Sequence, residues 1–218
     1  MIEYLMHCGS DDTIANTARV SMELDGGWDN LPEGYTKEQR DRLIRYLADH
    51  KHTSPFRHNS ITVRCKVPIF LARQLGKHQV GMSWNEVSRR YVKDDIEFWV
   101  PEEWRAAPEG SIKQGSGGVL SPVMDAVVTD VYMNALDVSE GAYQDMLANG
   151  VAPELARMVL PQSMQTQFIW TGSLMAFAHV YNLRIEGHAQ KEAQDFAEQL
   201  DQIISPLFPA AWEALKEK

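Results

Sequence analysis

Apolar positions along the chain follow a period of two in some stretches and about 3.6 in others, and the changes of period mark out its elements. Residues 2–7 read as a short first strand. Ser10, followed by Asp11 and Asp12, can cap a helix over 11–24 with Ile14, Ala18 and Met22 on one face. Residues 36–39 form a capping box that opens a helix over 37–50, striped by Leu43, Ile44 and Leu47. Pro55 disfavours helix at Ser54, so 52–58 reads as a turn. Residues 60–67 alternate strictly and turn Ile61, Val63, Cys65 and Val67 to one face, which predicts a half-buried strand. Pro68 suits the first turn of a helix running to about 78.

Residues 78–90 are polar and read as irregular, and 96–100 as an edge strand before Pro101. A long helix is predicted over 123–149, ending at Asn149 and Gly150. There follow a short helix at 152–159, a strand at 164–170, helices at 173–184 and 189–204, and a final turn at 209–216. The loops 25–35 and 106–122 are rich in glycine and proline, and the second is either a lid or a surface loop. No internal repeat is present, and residues 1–218 read as one α+β domain.

Composition narrows the class. A chain of 218 residues with 44% apolar and 23% charged side chains can bury an ordinary soluble core. No window supplies the ~20 apolar residues a bilayer span requires, so no membrane partner is expected. The N-terminus lacks a basic start and a long apolar run, so no secretory leader is expected. Two cysteines make no disulfide framework, which suits a reducing cytoplasm. The net charge of −9 argues against a nucleic-acid partner. Yet residues 73–93 set Arg73, Lys77, His78, Arg89, Arg90 and Lys93 against Glu86 alone. A positive island on an acidic chain points to a small anionic ligand.

Within that island, Arg89 and Arg90 adjoin Ser88. Guanidinium groups grip phosphate bidentately and stay charged at every pH, so these residues could form a phosphate cradle. Composition alone leaves a solvated run of surface charge equally open. Cys8 lies beside a predicted strand and Cys65 on an apolar face. Neither has an activating neighbour, and both read as small core residues.

Residues 77–91 resemble the signature of the flavin-dependent thymidylate synthases, which runs Arg-His-Arg, a spacer, then a serine within Asn-Glu-x-Ser-x-Arg-Tyr. Asn85 to Tyr91 match its end, the spacer Val80–Val87 has eight residues, and His78 matches the central histidine. Lys77 and Gln79 stand where arginines are usual; the first loses the guanidinium fork and the second the charge. Residues 18–21, 52–56 with His58, 68–74, 156–161, 170–171, 182–184 and 188–190 resemble further family segments in the same order.

The resemblance implies one domain of mixed helices packed on an antiparallel sheet, not a Rossmann fold; no G-x-G-x-x-G follows a strand. It implies methylation of dUMP to dTMP with 5,10-methylenetetrahydrofolate as carbon donor and FAD, reduced by NADPH, as hydride carrier. It further implies that no enzyme nucleophile takes part and that cationic donors polarise the pyrimidine instead. By position, Arg184 resembles the catalytic arginine that activates the uracil ring. Gln74, Lys77, Glu86, Ser88, Arg89, Arg90, Arg157 and Arg184 fall on dUMP-binding positions. Ser54, Lys77, His78, Gln79, Glu86, Ser173 and His179 fall on FAD-binding positions. The resemblance also implies a cytoplasmic homotetramer with active sites at subunit interfaces. Two other classes stay in view: a metal-dependent hydrolase through His50, His52 and His58, and a nucleotide-binding module in which Trp84 and Tyr91 stack bases. No metal is expected.

Overall fold

The computed structural model describes residues 1–22, 28–91, 96–108 and 115–216. Four strands, β1 (Ile2–Cys8), β2 (Ser60–Pro68), β3 (Met82–Glu86) and β4 (Gln165–Ser173), form one sheet in the order β1-β2-β4-β3. β1 pairs antiparallel with β2, from Ile2 opposite Cys65 to Cys8 opposite Ser60, with a register shift between Tyr4 and Met6. The helices are α1 (Asp11–Arg19), α2 (Lys37–Asp49), α3 (Ile69–Leu75), α4 (Pro122–Ala148), α5 (Pro153–Ala156), α6 (Leu174–Ile185), α7 (Lys191–Ile204) and α8 (Pro209–Leu215). The architecture is α+β, an antiparallel sheet with helices, and not Rossmann.

The chain divides into two units. One comprises Met1–Cys65, Gly76–Asn85 and Ile169–Lys218; the other comprises Lys66–Leu75 and Glu86–Phe168. In the first, Ile61, Val63 and Cys65 are fully buried, as the alternation of β2 requires. Trp170 of β4 packs against Phe177 of α6 at 5.4 Å and Phe196 of α7 at 6.2 Å between ring centroids. Full burial of side chains this large stabilises the fold by roughly 1.5–3 kcal/mol each. The helix starts are capped: Ser10 and Thr13 reciprocally at α1, Thr36 and Gln39 at α2. The buried carboxylate of Asp11 accepts the backbone N–H groups of Ala210 (2.8 Å) and Ala211 (3.0 Å), which fastens α8 to α1.

In the second unit Phe70 meets Trp99 at 5.3 Å, and Trp104 meets Tyr132 at 5.1 Å. The 27-residue helix α4 buries only Leu136 and Tyr143, while Val123, Val127 and Val131 are exposed at 74%, 51% and 67%. Among the described residues no helix is long and apolar enough to cross a membrane.

Several sequence expectations need correction. Residues 82–86 form a strand rather than an irregular segment, with Met82 and Trp84 half-buried and Ser83 and Asn85 exposed. Residues 96–100 make only an isolated bridge, Phe98 to Met164. The helix after Pro68 stops at Leu75, and Pro68 itself ends β2. Residues 54–57 wind into a 3-10 turn with Pro55 in its first positions, where a missing N–H costs nothing. Arg157 opens a 3-10 turn beyond α5. Cys8 is exposed, not a core residue, because it ends β1 at the sheet edge. α1 ends at Arg19 and continues as a 3-10 turn to Met22; the end of the expected helix, 23–24, lies outside the described residues. So does 109–114, on which the choice between lid and surface loop falls.

Candidate active site

In the first unit the signature segment is anchored to the start of α6. Gly81 adopts a φ of +74°, a left-handed conformation glycine reaches without strain, and its carbonyl accepts the N–H of Ser173 at 3.2 Å. A Cβ on Gly81 would stand 3.3 Å from both Ala176 Cβ and Ser173 Oγ. Ser173 caps α6 by accepting the N–H of Ala176, also at 3.2 Å. This close approach brings His78 to the C-terminal turn of α6. There Arg184 Nε donates to His78 Nε2 at 3.0 Å, and the His179 ring stands 5.7 Å from the His78 ring.

Because Nε2 accepts, the His78 imidazole is neutral and carries its proton on Nδ1. Burial, then the positive charge of Arg184, then His179, lower its pKa to about 4. Burial also pulls Arg184 below its ordinary value. Among the described residues no carboxylate lies within ion-pair distance of Arg184. A half-buried guanidinium held by a neutral acceptor projects its charge onto whatever binds beside it.

The same unit contains a cavity of about 650 Å3, within the range of sites for small ligands and cofactors. It is lined by Arg57, Ser83, Thr171, Ser173, Met175 and His179 among others, and Val80 and Gly81 form part of its wall. Apolar wall with scattered hydroxyl and imidazole groups suits an aromatic cofactor with a polar edge, and the residues present fit a flavin. Ser173 and His179, both expected flavin contacts, line this cavity, while His78 reaches it through His179. Lys77 and Gln79 are exposed just before Val80. Ser54 is exposed at the start of the turn that ends in Arg57.

The second unit holds a smaller cavity, about 210 Å3, lined by Glu86, Arg89, Arg157, Gln165 and Thr166 with apolar neighbours. Glu86, expected to touch the flavin as well as the nucleotide, belongs here, and its Oε1 accepts from Thr166 Oγ1 at 2.6 Å. Arg157 is exposed, and its Nε donates to the Glu154 carbonyl at 3.3 Å. Arg90 Nε donates to Ser88 Oγ at 3.2 Å, and its guanidinium lies 5.2 Å from the Tyr91 ring centre. Ser88 thus has an arginine beside it and, among the described residues, no histidine hydrogen-bonded to it as a general base. The buried carbonyl oxygens of the Gln74 and Gln165 side chains have no hydrogen-bond partner, as if awaiting a donor.

The structure therefore distributes the expected residues over two patches: His78, Ser173, His179 and Arg184 in one unit, Glu86, Ser88, Arg89, Arg90 and Arg157 in the other. Arg57 and Ser83 were not singled out from the sequence, and Thr171 stood there only within a family-like segment, with no role given to it. Ser83 could have been found by the period of two in β3, which sets it opposite in facing to Met82 and Trp84. Among the described residues no group of three or more His, Cys, Asp or Glu could hold a metal. His50 and His52 instead stack with Tyr46, at 4.0 and 6.2 Å.

The family model for the thymidylate synthase complementing protein matches residues 3–210. A flavin-dependent thymidylate synthase of Thermosipho melanesiensis is 37% identical over 207 residues, covering 94% of this chain and 86% of that protein. One from Thermus thermophilus is 36% identical over 210 residues, covering 96% and 73%. Among solved structures, the UMP/dUMP methylase PolB from Streptomyces cacaoi, bound with 5-Br dUMP, superposes with a TM-score of 0.86 at 32% identity, covering 98% of this chain and 93% of that one. The non-Rossmann α+β fold thus has a counterpart along nearly the whole chain. The chain belongs to the flavin-dependent thymidylate synthase family, whose members are methyltransferases.

Proposed function

We propose that the protein converts dUMP to dTMP, taking the carbon from 5,10-methylenetetrahydrofolate. FAD, reduced by NADPH, supplies the hydride when bound. The observation that carries the reading is the Arg184–His78 pair: a half-buried guanidinium hydrogen-bonded at 3.0 Å to a neutral imidazole, with no carboxylate beside it among the described residues. Methylation at C5 of a uracil needs negative charge on the ring to be stabilised, and in this reading Arg184 does so through its remaining N–H groups. Cys65 is not a nucleophile in this scheme; burial pushes its thiol up to about 12.

Arg89, Arg90 and Ser88 bind the nucleotide phosphate, with Arg157, Glu86, Gln74 and Lys77 as further dUMP contacts. Ser173, His179, His78, Gln79, Lys77, Glu86 and Ser54 contact the flavin. The protein assembles as a homotetramer with active sites at subunit interfaces; the exposed valines of α4, spaced four residues apart, support self-association. Matching of the family model over residues 3–210 supports reading the two units as one domain. Free Cys8 and Cys65 support a cytoplasmic setting.

The test is to incubate the purified protein with FAD, dUMP, methylenetetrahydrofolate and NADPH, and to follow dTMP by chromatography. Formation of dTMP only with the full mixture is expected. Protein that holds FAD and dUMP yet makes no dTMP under any reductant would refute the reading.

A further inference from the structure

The large cavity of the first unit has an unusual charge distribution. Among the described residues its lining includes no aspartate or glutamate, and Arg57 is the one described lining residue that is permanently charged. Gln79, which precedes the cavity residues Val80 and Gly81, brings no charge, and neither does Met175. A flavin dinucleotide carries an anionic pyrophosphate, and its burial against neutral walls needs a cation.

Arg57 is built to provide one. It ends the 3-10 turn Ser54–Arg57, whose Pro55 and Phe56 are buried, Phe56 completely. The turn is therefore fixed to the core while the guanidinium stays exposed at the cavity. Among the described residues Arg57 has no carboxylate within ion-pair distance, so its charge is not already spent on the protein. The guanidinium fork matches two phosphate oxygens at once, which neither the Gln79 amide nor an imidazole can do.

We infer that Arg57 is a cofactor-binding residue that pairs with the pyrophosphate of FAD, supplying in this cavity the charge that Gln79 lacks. The inference rests on the flavin reading above and adds to it a residue that the signature does not contain. It also implies that the turn 54–57, rather than the signature alone, sets how tightly the cofactor is held.

The experiment is a titration of flavin-free protein with FAD, read by quenching of flavin fluorescence at low and high salt, with far-UV circular dichroism as a check on folding. Wild type is compared with Arg57→Ala, Arg57→Lys and Arg57→Glu. Arg57→Ala is expected to weaken FAD binding about tenfold, the loss of one charge-assisted phosphate contact. Arg57→Glu should weaken it further, and Arg57→Lys should fall between wild type and Arg57→Ala. The advantage of wild type over Arg57→Ala should shrink at high salt, since the Arg57 guanidinium is exposed to solvent. Equal FAD affinity in all four proteins would overturn the inference and leave the flavin reading intact. A loss equal in Arg57→Lys and Arg57→Ala and indifferent to salt would also overturn it, because shape rather than charge would then be responsible. A folded wild type that takes up no FAD would bring down the flavin reading and this inference together.

Discussion

Arg184 and Arg157 are the same side chain in opposite surroundings. Arg184 is half-buried and hydrogen-bonded to a neutral His78, whereas Arg157 is exposed and donates to the carbonyl of Glu154. A guanidinium in water is screened and can hold an anion by geometry, but it changes the electronics of its partner little. One partly removed from water, with no counter-charge beside it, acts at higher effective strength. The contrast separates a residue suited to altering a bound ring from residues suited to gripping a phosphate. Arg90, exposed and bonded to Ser88, falls in the second group.

That contrast can be broken most directly at Arg184. Arg184→Ala is expected to lower kcat by about 10²–10³-fold, the cost of removing one donor that stabilises developing negative charge. Flavin content and circular dichroism should be unchanged. Dependence of dTMP formation on time at saturating substrate measures the effect, and near-normal turnover would erase the distinction between the two arginines.

The next effect falls on binding. Arg90→Ala should weaken dUMP affinity about tenfold while kcat at saturating dUMP changes less. Isothermal titration with dUMP, set beside steady-state rates, checks this. A large fall in kcat with intact affinity would place Arg90 with Arg184.

A smaller effect concerns pH. Burial and Arg184 lower His78 from 6.5 to about 4, so between those values the unfolded chain binds a proton that the folded chain does not. Stability contributed by neutral His78 is therefore complete above the upper value and is lost as pH falls through this window. His78→Gln, which keeps an acceptor for Arg184 and does not titrate, should flatten that part of the stability profile. Urea midpoints for both proteins at pH 5 and pH 7 provide the measurement, and identical slopes would show that His78 is not the group responsible.

The least effect is expected at Cys8. Exposed at the sheet edge and distant in role from both arginine patches, Cys8→Ala should leave dTMP formation unchanged. Loss of activity in a folded Cys8→Ala protein would reopen a thiol mechanism.

Much of the scaffold was legible in the sequence because its signals are local. β2 alternates over nine residues, and the four side chains it was expected to bury are fully buried. The caps of α1 and α2 lie within three residues of their partners. β3 was missed because it is five residues long and its inward side chains, Met82 and Trp84, are only half-buried, so the period of two barely rises above the surrounding polar run. Cys8 was misplaced because the faces of an edge strand depend on a neighbour that local sequence does not name. The candidate site divides in the same way. A motif resemblance assigns His78 to the flavin and Arg184 to the nucleotide, but their hydrogen bond to each other spans 106 positions, and no periodicity reports it. Arg57 carries no motif of its own; only the cavity that it lines gives it significance.

The fastening of α8 to α1 by Asp11 sets an order of events in the life of the chain. The carboxylate and the two N–H groups it accepts are 199 and 200 positions apart. At roughly 5–20 residues per second, a ribosome needs some 10–40 s to make the intervening chain. Throughout that time the first helix exists without its permanent partner. Completion of the fold at its beginning therefore waits on translation of its end, and a polypeptide interrupted before Ala210 leaves Asp11 without the contacts that justify its burial.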